Sequence, residues 1–585
     1  MEISTIGRPR NVGWVRAAAL LYGDWGTSKA YVIGLGVAAV GFAALPHLLA
    51  VCALTGLVGI NYIWVCKHFP NGGGVYTAAG LHSRRLATIG GLLLLADFIV
   101  TASLSCLDAF HYFGIADPAT AKKWAITTIF LIGAINFLGP KHTGGIAVWL
   151  AVPTVLVVIA LIAGGTPHIE NFHPQPPSGS FLSNWTKFVD MILALSGVEV
   201  AASSTGVLRL DPGSTLERPS VLITARRAII AVMIDVVIGT ALLSVLAMCL
   251  PASAEELKLH QNDLLRFMAS TFLGPHFAWV IGCVVGLLLI SAVNTALTGM
   301  VSLLYVMAHD REMPDPFLLL NRFGVPWVAL VTATVLPVVV LNIDDSVEGL
   351  AALYAIGVVG AITINLGSCA FAKSIPLKGV ERLTMKGTFV VLAAIWITIA
   401  LTKPFALLFV AIILGLGVGT RELTLRRRRA AAAATPPAAA PVKAPATTSP
   451  PQFLGQFILV AARGWTPALQ FALEESRVRG AQLLVLYVRE VAVQADMGAK
   501  WQDDPQAREL FTRLEAETAG LKVNKLYSVS DSPADTIIDI AATFGVDSVV
   551  LGGSRRATLV NLLKGNVVAR VAANLPEEMH LIVIG

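Results

Sequence analysis

Ionisable and hydroxyl residues interrupt the first long apolar run of the sequence. Asp24 and Lys29 lie between Leu20 and Tyr31, together with two glycines and two hydroxyl residues. Glycine weakens the interior of a helix, and a charged group is costly in hydrocarbon. The cluster therefore predicts a broken helix that faces a polar cavity, where freed carbonyl groups can coordinate a cation. The alternative is that Asp24 only pairs with Lys29 inside a helical bundle.

The sixth apolar run carries a matching feature. Ser196, Gly197 and Glu199 place a hydroxyl, a glycine and an acid in the middle of this run. Inverted five-helix repeats bring spans one and six together near the membrane midplane. We therefore expect Glu199 to face the same cavity as Asp24. A simple hydrogen bond between helices is the structural alternative.

Composition divides the chain of 585 residues into two regions. Only 14% of the residues are charged, against about a quarter in soluble proteins, and the deficit lies between residues 15 and 420. This region contains about twelve apolar runs that can cross a bilayer: 15–42, 46–66, 86–113, 124–139, 145–164, 187–206, 224–250, 274–308, 326–342, 349–372, 387–402 and 404–420. The net charge of +6 lies mostly in loops between these runs, so a nucleic-acid partner is not expected.

Charge and proline content predict the orientation and the domain limits. Lys and Arg concentrate in loops on the side of the N-terminus, which predicts an inner-membrane protein with both termini in the cytoplasm. We assign residues 1–425 to a transmembrane domain, 426–452 to an Ala/Pro-rich linker and 453–585 to a cytosolic domain. Apolar strands alternate with helices in this last domain, which predicts a parallel α/β sheet.

The interrupted first run resembles the signature of a known family. Residues 22–31 read Tyr-Gly-Asp-Trp-Gly-Thr-Ser-Lys-Ala-Tyr, which is similar to Tyr-Gly-Asp-Ile-Gly-Thr-Ser-Pro-Leu-Tyr of the potassium uptake permeases. Residues 69–76 and 97–101 resemble the wider superfamily of amino acid, polyamine and cation permeases. The overall resemblance is to the KimA-type potassium importers. It implies an α-helical polytopic fold of about 12 transmembrane helices, with a 5+5 inverted repeat and broken helices 1 and 6.

The resemblance also implies a potassium site and a transport mode. The implied ligands are Asp24, Tyr31, Thr101, Ser105, Ser196 and Tyr354, of which Asp24, Thr101, Ser105 and Ser196 would contact the metal ion directly. Phe98 stands where the family has a tyrosine. Potassium is a hard ion that prefers such oxygen ligands. The resemblance implies proton symport as well, with Glu199 or Asp24 as the proton carrier.

Lys29 departs from the family signature, which has proline at this position. Its ammonium group has three possible placements: it neutralises Asp24, it turns toward Asp97 or Asp108, or it recognises a substrate. Two alternatives to a potassium importer therefore stay open, namely an amino acid or polyamine permease of the same fold and a transporter-like sensor that signals through the cytosolic domain. The chain has no Walker-type phosphate loop, so we expect neither an ATP-driven pump nor an enzyme.

The C-terminal region resembles a universal stress protein domain at residues 458–462, 530–535 and 549–554. Nucleotide-binding members end a strand with Gly-x2-Gly-x9-Gly-Ser, whose backbone amides hold phosphates. Here Arg556 replaces the second glycine and Asn566 replaces the serine, so we expect no cofactor. Arg463, Arg555 and Arg556 are either contacts for an anionic regulator or solvated surface residues. The resemblance also implies a homodimer formed through this domain.

Overall fold

Long apolar helices dominate the computed structural model, which describes residues 3–6, 10–139, 143–195, 197–215, 218–434, 456–493, 501–518, 521–553 and 566–585. Within these ranges, nine helical segments are long and apolar enough to cross a membrane: Trp14–Ala43, Leu45–His68, Arg84–Tyr112, Ala147–Asn171, Leu222–Ala247, Pro275–His309, Val347–Phe371, Gly379–Thr402 and Pro404–Ala430. Two shorter apolar helices are Leu264–Leu273 and Trp327–Ile343. The polytopic helical fold is therefore confirmed, whereas the count of twelve spans and the inverted repeat stay predictions.

The helices of this domain are numbered in chain order. They are α1 (Trp14–Trp25), α2 (Ser28–Val40), α3 (Leu45–His68), α4 (Val75–Gly80), α5 (Arg84–Tyr112), α6 (Pro118–Phe137), α7 (Thr143–Gly165), α8 (Phe181–Asp190), α9 (Val198–Ser203), α10 (Leu222–Ile234), α11 (Thr240–Ala247), α12 (Ala254–Leu259), α13 (Leu264–Leu273), α14 (Pro275–His309), α15 (Trp327–Ile343), α16 (Val347–Phe371), α17 (Gly379–Thr402) and α18 (Pro404–Ala434).

Helix α5 lies at the centre of the helical domain. It begins at an N-cap, Ser83, whose hydroxyl oxygen accepts a hydrogen bond from the Leu86 amide over 3.0 Å. From Gly90 to Phe110 every side chain is buried, because the helix packs against α14, α16, α15, α6 and α4. A polar residue on this helix is therefore removed from lipid and faces another helix or an internal cavity.

The C-terminal region forms a parallel α/β sheet, which confirms the predicted fold of this domain. Its strands are β1 (Ile3–Ile6), β2 (Phe457–Ala461), β3 (Gln482–Glu490), β4 (Val523–Ser530), β5 (Ser548–Gly552) and β6 (His580–Ile584). Its helices are α19 (Pro467–Arg479), α20 (Pro505–Glu517), α21 (Pro533–Phe544) and α22 (Val567–Asn574). The strand order is β1-β4-β3-β2-β5-β6, and every adjacent pair is parallel.

The edge strand β1 comes from the opposite end of the chain. Ile3 to Ile6 pair with Lys525 to Ser528 of β4, although the sequence assigns residues 1–425 wholly to the transmembrane domain. Four residues carry too little periodicity to predict a strand. The sequence analysis also leaves β4 and α20 unassigned. In β4, polar and apolar residues are mixed, and the continuous apolar run of the central strands is missing.

Further contacts join the two parts of the chain. The amide of Ala492 donates to the carbonyl oxygen of Gly324 over 2.9 Å, and the side-chain amide of Asn11 donates to Asp535 over 3.0 Å. Tyr305, at the end of α14, packs in a small apolar cluster beyond β3. Helix α18 continues to Ala434, so the start of the segment assigned to the linker is helical. Residues 435–452 of that segment lie outside the described residues.

Candidate functional site

The first span is broken just after Asp24, as the sequence predicts. Helix α1 ends at Trp25 and α2 begins at Ser28. The hydroxyl group of Thr27 donates to the Asp24 carbonyl oxygen over 2.5 Å, and that of Ser28 donates to the Trp25 carbonyl oxygen over 3.0 Å. Hydroxyl side chains at the break thus satisfy carbonyl groups that have lost helical partners.

The sixth span is broken at Gly197, and this break lies against the first one. Gly197 has φ +87°, and α9 begins at the next residue. A Cβ atom at Gly197 would lie 2.4 Å from the backbone nitrogen of Trp25. Only glycine satisfies both the left-handed backbone and the close approach. The two breaks therefore meet backbone to backbone beside Asp24. Ser196, a predicted ligand, lies outside the described residues.

Three buried carboxyl groups meet beside this contact. The residues are Asp24, Asp97 and Glu199, with side-chain exposures of 1%, 1% and 2%. The three carboxyl groups are close enough to repel one another electrostatically. The Gly197 amide also donates to Oε1 of Glu199 over 3.3 Å. The structure thus brings Asp24 and Glu199 together and adds Asp97 to them.

Asp97 is the site residue that the sequence analysis missed as a ligand. Its spacing from Thr101 could have revealed it, because residues four apart lie on the same face of a helix and Thr101 was a predicted ligand. In the structure Oγ1 of Thr101 lies 3.5 Å from Oδ1 of Asp97. Gly357 of α16 allows close packing here, since a Cβ atom on it would lie 3.0 Å from the Asp97 backbone nitrogen.

Hydroxyl groups from three helices accompany the carboxyl groups. The phenol of Tyr354 lies near all three carboxyl groups, and that of Tyr31 lies near Asp24. Ser105 lies one turn beyond Thr101 on α5. The hydroxyl oxygens of Tyr354 and Ser105 are buried and have no hydrogen-bond partner among the described residues. These two oxygens are available to a ligand.

Lys29 turns away from the carboxyl groups. Its ammonium group pairs with Asp235 and donates to the hydroxyl group of Tyr22 over 3.1 Å. The ammonium group therefore pairs with neither Asp24 nor Asp97 nor Asp108, the acidic partners that the sequence left open. Asp235 lies on the seventh span, 206 positions from Lys29 in sequence, so no local spacing could reveal this pair.

A cavity of about 300 Å³ is lined by neighbours of two of the carboxyl residues and by residues of the C-terminal domain. Its walls include Phe98, which follows Asp97 on α5, and Thr298 of α14. Ala492 and Asp531 of the C-terminal domain line the same cavity. The C-terminal domain therefore forms part of the wall of a chamber that reaches the neighbourhood of the candidate site.

A polar cluster at the end of α14 joins three helices near this cavity. Asp310 accepts hydrogen bonds from the Tyr76 hydroxyl over 3.0 Å and from the Arg84 guanidinium over 3.1 Å. His309 adds a further contact with the same carboxylate. Contact with His309 and hydrogen bonds from Tyr76 and Arg84 hold the pKa of Asp310 below its usual value. The carboxylate therefore stays charged at neutral pH and holds α4, α5 and α14 together.

The candidate anion site of the C-terminal domain is described only in part. The guanidinium of Arg463 pairs with the carboxylate of Glu490 over 2.8 Å, and the Arg463 side chain is 52% exposed. This partner already neutralises the arginine. Arg555 and Arg556 lie outside the described residues, so the role of the three arginines stays a prediction.

Comparisons with known proteins agree with this two-part architecture. The model of the amino acid permease family matches residues 12–424, and that of the universal stress protein family matches residues 461–582. The potassium transporter KimA of Bacillus subtilis (strain 168) is 25% identical over 382 residues, which is 61% of this chain and 60% of that protein. L-asparagine permease 1 of Mycobacterium tuberculosis is 23% identical over 225 residues, which is 37% of this chain and 45% of that protein.

Each match covers only part of this chain and only part of the relative. This chain spans between 45% and 60% of the length of these two relatives. Among solved structures, the universal stress protein from Archaeoglobus fulgidus is 23% identical, covers 23% of this chain and 100% of that chain, and has a TM-score of 0.19. Because the permease model matches most of the chain and the apolar helices lie within the matched region, the chain is a multi-pass membrane protein that belongs to the amino acid permease family and carries a C-terminal universal stress protein domain.

Proposed function

We propose that this permease is a secondary active importer of potassium. The observation that supports the proposal best is the group formed by Asp24, Asp97 and Glu199, three buried carboxyl groups beside two helix breaks. A buried carboxylate is costly unless a cation or a proton offsets its charge. The hydroxyls of Tyr354 and Ser105, which have no hydrogen-bond partner in the described part of the chain, add the neutral oxygens that potassium prefers. The similarity to a protein named as a potassium transporter supports the same substrate.

We also propose that protons drive this import. Two buried carboxyl groups that repel each other cannot both ionise at low cost, so one of Asp97 and Glu199 holds a proton when no cation is bound. A proton on one carboxyl group lowers the repulsion among the three and leaves another ionised to bind potassium, so the site can hold both ions at once. Release of both ions on the cytoplasmic side would couple the two fluxes as symport. Glu199 is the proposed proton carrier, because it lies on the broken sixth span and therefore moves with the gates.

The proposed setting is the inner membrane, with both termini in the cytoplasm and the lipid bilayer around the helices. Under this orientation the cavity of about 300 Å³ opens toward the cytoplasm and the C-terminal domain covers it. We propose a homodimer formed through that domain, without a resident cofactor and without a nucleic-acid partner.

An organic cation is the second candidate substrate. The family model and the similarity to an L-asparagine permease favour it. The three carboxyl groups would repel the carboxylate of an ordinary amino acid, so a polyamine or a basic amino acid fits this site better. Lys29 also favours this candidate, because it replaces the proline of the potassium uptake signature.

Replacing Asp24 by Asn tests the proposed function. The change removes a charge from the site without changing the size of the side chain, so we expect uptake to fall at least about a hundredfold while the protein still reaches the membrane. Two measurements apply: growth of a potassium-uptake-deficient bacterium on low potassium, and uptake of radioactive rubidium by proteoliposomes. Asp345→Asn is the matched control, because Asp345 is 51% exposed and its loss should leave uptake unchanged.

The same assay separates the two candidate substrates. Wild-type rescue that Asp24→Asn abolishes would support potassium import through this site. Normal uptake by Asp24→Asn would show that the carboxyl group is structural. If wild-type protein reaches the membrane but takes up no rubidium, labelled putrescine and arginine become the substrates to test in the same proteoliposomes.

A further inference from the structure

The ion pair between Lys29 and Asp235 lies outside the cation site but belongs to the same broken span. The ammonium of Lys29 is 2% exposed, and the Asp235 side chain is 14% exposed. Tyr22, on the other side of the break, accepts a hydrogen bond from the ammonium over 3.1 Å and places its ring centroid 5.1 Å from it. Both halves of the first span therefore contribute to this contact.

The backbone of the seventh span is irregular where it supplies Asp235. The span consists of α10, a five-residue π-helical segment from Asp235 to Gly239, and α11. A π-helical segment inside a helix is rare and often marks a functional position. Here the segment begins with the carboxylate that binds Lys29. The irregularity therefore lies at the ion pair.

The charge of Lys29 needs this partner because the ammonium group is buried. A buried charge that loses its partner is strongly unfavourable, so the group either gives up its charge or pairs with another buried group. Lysine has a long flexible stem, and Asp24 lies on the same interrupted segment, five positions earlier in the sequence. The acid of the proposed cation site that lies closest to Lys29 in the sequence is Asp24.

We infer that Asp235 is a positioning residue that holds the Lys29 ammonium on the seventh span and so keeps its charge away from the carboxyl groups that bind the substrate cation. This inference rests on the proposed cation transport. It explains how the chain retains a negative cation site although lysine replaces the proline of the related signature. Asp235 itself contacts Lys29 and does not need to contact the substrate.

The test is a rescue experiment on the full chain in proteoliposomes. Initial rates of rubidium uptake are measured against rubidium concentration for wild type, Asp235→Asn and the double variant Lys29→Met with Asp235→Asn. The freed ammonium in Asp235→Asn should neutralise one carboxylate and raise KM about tenfold or more, with a smaller change in kcat. The double variant removes both charges and should return KM to within about threefold of wild type. Asp235→Glu keeps the charge and should also transport normally.

The KM values of these variants decide whether Asp235 has a positioning role. A wild-type KM in Asp235→Asn, or an equally high KM in the single and double variants, would overturn the inference because the pair would then be only structural. If Asp235→Asn is not recovered from the membrane, the double variant decides alone: near-wild-type KM supports the inference, and a raised KM overturns it. Absence of rubidium uptake by wild-type protein overturns the proposed function itself, and this inference with it.

Discussion

At the scale of single residues, Asp97 and Glu199 are neighbouring buried acids, and one of them ionises more easily than both together. We expect Glu199→Gln to uncouple rubidium uptake from protons. The amide keeps the hydrogen-bonding shape of the side chain but cannot carry a proton between the two sides of the membrane. Uptake driven by a proton gradient should fall about tenfold or more, whereas exchange of rubidium for rubidium should continue.

A pH-sensitive dye inside the proteoliposomes measures this coupling directly. Glu348→Gln is the matched control, because Glu348 lies exposed in the first turn of α16 and should leave proton movement unchanged. Rubidium uptake by Glu199→Gln that still changes the internal pH as wild-type uptake does would assign the proton to another group, with Asp24 or Asp97 as the next residues to examine.

At the scale of secondary-structure elements, contact between the two broken spans depends on Gly197. An alanine there would have to adopt φ +87° and place Cβ 2.4 Å from the Trp25 nitrogen. The two breaks would have to separate, which moves Glu199 away from Asp24. We expect Gly197→Ala to lose at least about nine tenths of rubidium uptake and to destabilise the protein by about 1–3 kcal/mol.

Gly387→Ala on α17 provides the control for this prediction. Its added Cβ atom meets no other atom within 4 Å, and Gly387 lies inside a regular helix. Its uptake should equal that of wild type, and its stability should rise by up to about 1 kcal/mol, since alanine favours helix more than glycine does. Thermal unfolding of both variants in detergent gives the stability comparison. Equal uptake by the two variants would contradict the importance of the Gly197 contact.

At the scale of the whole molecule, one sheet contains strands from both ends of the chain. Residues 3–6 pair with β4 of the C-terminal domain. A few residues later, Val12 exchanges backbone hydrogen bonds with Val207 and Arg209, directly after the broken sixth span. The N-terminal segment therefore connects the sheet to both broken spans. This connection ties the position of the C-terminal domain to the elements that carry the candidate site.

We expect replacement of Ser4 and Thr5 by two prolines to release β1 from the sheet. Successive amides of a strand point to opposite sides, so one of these two faces β4, and proline cannot donate from it. The amides of β4 should then exchange with deuterium faster than in wild type. Replacement of the same two residues by alanine keeps both amides and is the control. Unchanged exchange in the proline variant would mean that this pairing contributes little to the fold.

Local patterns in the sequence determined much of this protein. The apolar runs predict the membrane helices because hydrocarbon accepts only long apolar segments with satisfied backbones. Glycine and polar residues inside two of these runs predict both helix breaks for the same reason. The alternation of apolar strands and helices predicts the parallel sheet. Each of these features depends on residues that are neighbours in the chain, so a short stretch of sequence is enough to predict it.

Only the tertiary structure decided which distant groups meet. The partner of Lys29 is Asp235 on another span, the neighbour of Asp97 is Glu199, and the partner of β4 is a strand from the other end of the chain. Helix packing sets the first two contacts and backbone pairing sets the third. These contacts join residues that are far apart in sequence, and no period or spacing along one chain specifies which of several buried charges will pair.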